Sequence, residues 1–171
     1  MVTVTGEEGH AGTLPMVLRK DAMHGAARMI DAFDNVAFGF DLHLVITGRH
    51  LRVRPNSRNT IPGQVIFTID SRHPDDETLA VAGCAMINEC ERIAGERGLE
   101  VSIEKTSHRD AVTFNSDCVE AVRAASTALG ISCIDIYSGA GHNAINMTYV
   151  CPSVMVLSLA KMASVITSLR T

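Results

Sequence analysis

The sequence predicts an α+β protein: a four-stranded antiparallel sheet with two helices, followed by a fragment of α/β type. Three observations predict it. Over about the first hundred residues, segments of strand and helix periodicity follow one another as β-α-β-β-α-β, the split βαβ order of ferredoxin-like folds. A composition break at 107–115 then leads to a helix, an apolar strand and a glycine-rich loop, a βα-type piece that does not belong to that unit. Finally, 46% of the residues are apolar and 20% charged, which is ample apolar surface to offset the entropy of ordering. The expected boundaries are 1–110, 111–155 and a tail at 156–171.

Each element has a local reason. Val2 to Thr5 alternates Val and Thr, which suits a half-buried strand. Gly6 to Gly12 is a loop holding Glu7, Glu8 and His10, and Pro15 stands where a helix begins. Val17, Ala22, Ala26, Met29, Ile30 and Phe33 recur at helical spacing, predicting a helix from Met16 to about Val36. Phe40 to Val53 is strand-like, with a turn expected at Gly48. Pro55 to Asn59 is turn-rich, and Gly63 to Arg72 is a strand with Val65, Phe67 and Ile69 on one face. Asp75, Asp76 and Glu77 place negative charge at the start of the next helix, which runs to about Arg97 and stops at Gly98. Leu99 to Thr106 reads as the fourth strand of the unit. Beyond the break come a helix at Ser116–Leu129, a strand at Ile131–Tyr137 and the loop Ser138-Gly139-Ala140-Gly141-His142.

Charge and cysteine usage narrow the partners. Fifteen basic against 19 acidic side chains give a formal charge of −4, and no basic block offers a footprint for nucleic acid. No apolar run is long enough to span a bilayer, and Met1 to Gly12 lacks a signal-peptide layout. Five scattered cysteines, with no CxxC, fit reduced thiols and a cytoplasmic protein, and all five read as small buried hydrophobes.

Seven histidines invite a metal reading that their spacing does not support: there is no HExxH and no i, i+4 pair on a predicted helix. His24, His43, His50, His73 and His108 read as partly exposed structural residues. His10 and His142 differ, because each follows glycine in a small-residue loop where backbone can approach a ligand closely. For both, a functional and an ordinary loop role stay equally open. Asn59 and Arg72 can bind a carboxylate, Asn through its NH2 group and Arg as a charged fork; the plain alternative for Arg72 is a surface pairing with a nearby Asp. No nucleophile elbow, P-loop or GxGxxG is present.

Three stretches together resemble one family. Gly6-Glu7-Glu8-Gly9-His10-Ala11-Gly12-Thr13-Leu14-Pro15-Met16, with Arg19 and Asp21-Ala22, is similar to the GxxxHAGTxPMxxRxDA segment of N-carbamoyl-L-amino-acid hydrolases, shared by allantoate amidohydrolases and β-alanine synthases. Pro55 to Gly63, leading to Asp70-Ser71-Arg72, resembles their PNxxNxIPG…DxR, and Ser138 to Ala144 resembles their SGAGHDA, with Asn143 in place of the aspartate. The resemblance reaches to about Met155. It implies a lid or dimerisation domain at 1–110 and, at 111–155, a fragment of a catalytic domain that elsewhere carries two divalent metal ions, zinc or manganese. It further implies cleavage of a ureido or related C–N bond, with a metal-bridging hydroxide attacking the carbon and a glutamate of that domain moving protons. His10 would polarise the scissile group, and Asn59 and Arg72 would hold the substrate carboxylate, all three reaching from the lid into the other subunit of a homodimer. Gly141 and His142 would line the pocket from the catalytic-domain side.

The resemblance also implies that most metal ligands lie ahead of the segment carried here, so no metal ligand is expected within this chain and the isolated chain is expected to be inactive. Back-translation of Met162 to Thr171 in a shifted frame permits Asp-Gly-Ile-Ser-His-Asn-Glu, which resembles the family's DGISHNxxE and makes 156–171 a candidate frameshifted tail. The alternatives are a non-catalytic self-association module and a small-molecule-binding ferredoxin-like domain, the latter by fold analogy alone. Ile131–Ile136 and Val150–Leu159 are expected to be strands left without sheet partners, exposing apolar edges.

Overall fold

Alternation builds the first strand: Val2 and Val4 are buried and Thr3 and Thr5 are not, so β1 (Val2–Thr5) lays one apolar face on the core. The computed structural model describes residues 1–158, which form two compact units, Met1–Ala111 and the chain from Val112 onward. The frameshift proposed for 156–171 falls almost entirely outside the described residues.

In the first unit, β1 lies between β5 (Gln64–Arg72) and β6 (Glu100–Ile103), and β3 (Val45–Arg54) pairs with the far side of β5. All neighbours are antiparallel, in the order β3-β5-β1-β6, which is the arrangement expected of a ferredoxin-like unit. Two helices, α1 (Ala22–Phe38) and α2 (Asp76–Arg97), connect the strands and cover one face. Ala22, Ala26, Met29 and Phe33 of α1 and Met86, Cys90, Ile93 and Ala94 of α2 recur at helical spacing and meet Val2, Val4, Val65 and Phe67 of the sheet. Burial pushes the Cys90 thiol up to about 11, so it packs as a small hydrophobe. Cys84, Cys133 and Cys151 are exposed and Cys118 half-buried, a correction to the expectation that every cysteine is buried.

Local chemistry fixes the ends. The Asp21 carboxylate accepts from the amides of Met23 and His24 and caps α1. The helix therefore starts at Ala22 rather than Met16; Met16–Leu18 is a separate 3-10 turn, because Arg19 is extended. Asp75 caps α2 through the Thr78 amide (2.7 Å), and Gly98 ends it in the left-handed region at φ 61°. The fourth strand is shorter than the 99–106 expected. Gly6 is required by close approach: a Cβ there would stand 1.9 Å from the Lys20 carbonyl oxygen, which accepts from the Glu7 amide.

Gly48 makes no turn, contrary to the turn expected there. β3 starts at Val45, runs through Gly48 and carries a bulge at His50 (φ 43°) between Arg49 and Leu51. Bulge formation depends on the pairing of two strands, which strand periodicity alone does not reveal.

In the second unit, Asn115 caps α3 (Ser116–Ala128) through the Cys118 amide (3.0 Å). A short helix α4 (Asn143–Met147) follows the glycine-rich loop. The segments expected as strands at Ile131–Tyr137 and from Val150 form no ladder among the described residues, and Ile134 is 83% exposed. Their apolar, β-branched composition favours extended backbone, but a strand also needs a neighbour to take its hydrogen bonds.

Candidate functional site

A two-stranded ladder brings His10 and Asn59 together. β2 (Gly9–His10) pairs with β4 (Thr60–Ile61), with His10 opposite Thr60 and Gly9 opposite Ile61. The Ala11 amide continues that pairing by donating to the Asn59 carbonyl at 2.9 Å. The amides of Thr13 and Leu14 both donate to the His10 carbonyl, closing the small-residue loop. Arg19, which the sequence offers only as part of a pattern, locks this loop from outside: its Nε donates to the Leu14 carbonyl (2.9 Å) and its Nη2 to the Ala11 carbonyl (2.7 Å). The His10 Nδ1 accepts from the Gly12 amide at 3.1 Å, so in the neutral ring the proton sits on Nε2, which becomes an outward donor. Both His10 and Asn59 are exposed.

Arg72 is not part of that cluster. It ends β5, and the eight steps from Gln64 to Arg72 along extended chain span about 26 Å. The expectation that His10, Asn59 and Arg72 serve one ligand stays an expectation: the His10–Asn59 loop adjoins the start of β5 and Arg72 stands at its end. At its own end of the sheet, Arg72 donates through Nε and Nη2 to the two oxygens of Asp70 at 2.8 and 2.7 Å. Arg49 of β3 adds a third donor to Asp70 at 2.8 Å. The Arg72 fork first, and Arg49 after it, hold the Asp70 carboxyl below the usual range against the opposing effect of its partial burial.

In the second unit, His142 caps α4, its Nδ1 accepting from the Ala144 amide at 3.0 Å. Gly141 beside it is exposed, and a Cβ there would meet nothing within 4 Å, so packing does not demand the glycine.

No protein-family model matches the chain. It is 37% identical over 155 residues to the N-carbamoyl-L-amino-acid amidohydrolase of Rhizobium meliloti, covering 91% of this chain and 37% of that protein. It is 31% identical over 143 residues to the allantoate amidohydrolase of Escherichia coli (strain K12), covering 84% of this chain and 35% of that one. A solved hydantoinase/carbamoylase family amidase from Burkholderia ambifaria superposes with a TM-score of 0.84 at 39% identity, over 88% of this chain and 37% of its own. The chain belongs to this amidohydrolase family. It spans little more than a third of the length of these relatives.

Among the described residues, one group, Asp76, His108 and Asp110, brings three ligand atoms within 4.8 Å of one another. It stands at the start of α2, at the far end of β5 from His10, and three donors do not make a centre for two ions. The described side chains therefore do not fit the family's two-metal centre.

His73 is the residue whose surroundings the sequence conceals most, since it is buried rather than partly exposed. Its Nδ1 lies 3.0 Å from both the amide and the carbonyl of Asp75, accepting from the amide in the neutral ring and donating to the carbonyl when protonated, and its Nε2 faces the Asp41 carboxylate (3.0 Å), clamping the α1–β3 loop to the β5–α2 connection directly after Arg72. The His43 ring meets it edge-on at 6.4 Å. Burial pulls the His73 pKa down, but the Asp75 carbonyl and the Asp41 carboxylate outweigh it and leave it above 6.5. A raised folded-state pKa means that this clamp's contribution is complete below about pH 6.5 and is lost as pH rises through the folded value. Thermal melts of wild type and Asp41→Asn across that window test this. Wild type is expected to lose more stability on alkalinisation than the variant, and parallel curves would contradict the clamp.

Proposed function

We propose that this chain acts as the substrate-gripping, self-associating lid of an amidohydrolase that cleaves the C–N bond of N-carbamoyl amino acids or related ureido acids. The observation that carries this reading is the β2–β4 register, which sets His10 opposite Thr60 and ties Ala11 to Asn59 through the backbone, within the loops shared with the family. The named substrates of the two curated relatives, N-carbamoyl-L-amino acids and allantoate, share a ureido group and a carboxylate. The His10 Nε2–H suits the ureido carbonyl, where a positioned donor stabilises the charge that develops on oxygen. Asn59 offers a neutral NH2 donor, and Arg72, with its Nε and Nη2 turned to Asp70, a positive charge for the carboxylate. The family resemblance also gives His142 and Gly141, in the second unit, a substrate-binding role. The activating metals, zinc or manganese, bind ligands outside the described residues, so the isolated chain is expected to show no turnover.

Self-association supplies what one protomer lacks. β3 lies at the edge of the sheet, and its outward side has no partner strand among the described residues. If two β3 strands pair antiparallel about a two-fold axis, the two β5 strands run antiparallel about 14 Å apart, three strand spacings. Arg72 of one protomer then lies at the same sheet end as Asn59 and His10 of its partner. The five free cysteines and the absence of any membrane-spanning helix among the described residues support a place in a reducing compartment, the cytoplasm.

The test is binding. Titration of N-carbamoyl-L-alanine into the full chain, followed by amide and imidazole chemical shifts, is expected to move His10 and the residues around Asn59 and Arg72. His10→Ala and Arg72→Gln are each expected to weaken binding about tenfold or more, the worth of a hydrogen bond to a charged or polarised group. No response in wild type, or metal-dependent turnover by the pure chain, overturns the reading.

A further inference from the structure

Basic charge is segregated along the edge strand and the turn after it. From Leu42 to Ile69 the chain holds Arg49, Arg52, Arg54 and Arg58 and neither Asp nor Glu, although its formal charge overall is −4. Leu51 and Val53 of β3 are register partners of the buried Phe67 and Val65, so Arg52 and Arg54 lie on the open face of the sheet. Both are exposed, and among the described residues neither has a salt-bridge partner, whereas Arg49 donates to Asp70 at 2.8 Å. Along the row of Arg54, Gln64 and Thr5 separate it from Glu100, three strand spacings or about 14 Å away.

The bulge gives β3 a second property. His50 stands outside the ladder, so β3 meets β5 at nine positions with Arg49 in the middle, on the open face. Turned end for end, these positions carry open-face residues onto open-face residues: Val45 onto Arg54, Thr47 onto Arg52 and Arg49 onto itself. On the helix face Ile46 falls opposite Val53, and Gly48 opposite Leu51. An even number of positions would set one face against the other. A full-length two-fold pairing of two β3 strands therefore keeps both faces intact, and at its axis each Arg49 is already answered by its own Asp70. In that register one row reads Gln64, Arg54, the partner's Val45 and the partner's Arg72. Arg54 and the partner's Arg72 then stand two strand spacings apart, about 10 Å, at the sheet end that the His10–Asn59 loops adjoin.

Resting on the grip shared between protomers that is proposed above, we propose that Arg54 is a carboxylate-binding residue of that site, contributed by the protomer that contributes His10. Arg54 supplies the free guanidinium fork there, because the Nε and Nη2 of Arg72 are turned to Asp70. The carboxylate of the ureido acid lies between Arg54 and the partner's Arg72, with its ureido group toward His10.

The experiment measures the affinity of the full chain for N-carbamoyl-L-alanine by calorimetry. Arg54→Gln is expected to weaken binding about tenfold, and Arg54→Lys about threefold, because lysine keeps the charge but loses the fork. Arg52→Gln, one row further along the same face, is expected to stay within about twofold, which separates a contact from a general field. Mixing identifies the protomer. Arg54→Gln and Arg72→Gln chains, exchanged at random, are expected to regain wild-type affinity at about a quarter of all sites. Arg54→Gln mixed with His10→Ala is expected to regain none, because one chain supplies both residues to a site. If Arg72→Gln weakens binding while Arg54→Gln stays within about twofold of wild type, this inference falls and the proposed function stands. It falls in the same way if Arg52→Gln costs as much as Arg54→Gln, or if the mixture with His10→Ala recovers. If wild type ignores the acid altogether, both fall. Should Arg54→Gln not fold, Arg54→Lys decides, and unchanged affinity overturns the proposal.

Discussion

Phe67→Ala is expected to cost about 3–5 kcal/mol, the range for removing a fully enclosed aromatic ring from a core. Phe67 is 1% exposed, sits in the middle of β5 between its register partners Val2 and Leu51, and packs against Phe33 with ring centroids 6.4 Å apart. Against a typical domain stability of about 5–15 kcal/mol, such a loss removes a large share of the total. The consequence is also functional, because β5 is the rod that ties the His10–Asn59 end of the sheet to the Arg72 end. Urea unfolding of the full chain measures it, with Ser102→Ala on the exposed side of β6 as a control expected to stay within about 0.5 kcal/mol. A Phe67→Ala protein as stable as the control would mean that the two helices and the sheet do not share one core.

Much of this architecture is legible in the residues. The Val-Thr alternation of β1, the apolar face Val65-Phe67 of β5 and the acidic start and glycine stop of α2 each have a short-range physical cause, and each element forms where its cause lies. What is not legible depends on groups distant in sequence. Proline before Met16 suggests a helix start, yet the Asp21 cap wins, since it satisfies two amides that Pro15 cannot. His73 looks like an exposed loop residue because Asp41, its partner, lies 32 positions away. The apolar run Ile131–Tyr137 has the composition of a strand and no ladder among the described residues, since composition does not provide a neighbour. Of the candidate site, the pairing of the His10 loop with the Asn59 loop follows from two stretches that the family resemblance links. The separation of Arg72 is implicit in the length of β5, where nine extended residues cannot begin and end at the same place. Arg49 is hidden because its face is set by a bulge, and strand alternation read without that bulge places it on the wrong side.

The central claim is that His10 and Asn59 of one protomer and Arg72 of another complete a shared grip on a ureido acid. Complementation measures it most directly. His10→Ala and Arg72→Gln proteins, each expected to bind N-carbamoyl-L-alanine at least about tenfold more weakly than wild type, are mixed under conditions that exchange subunits. In a heterodimer, one site receives an intact His10 from the Arg72→Gln chain and an intact Arg72 from the His10→Ala chain, while the second site lacks both. Random exchange is therefore expected to restore wild-type affinity at about a quarter of all sites, read as calorimetric stoichiometry. A mixture that binds no better than its two components, or a mass that stays monomeric throughout by light scattering, would contradict the account.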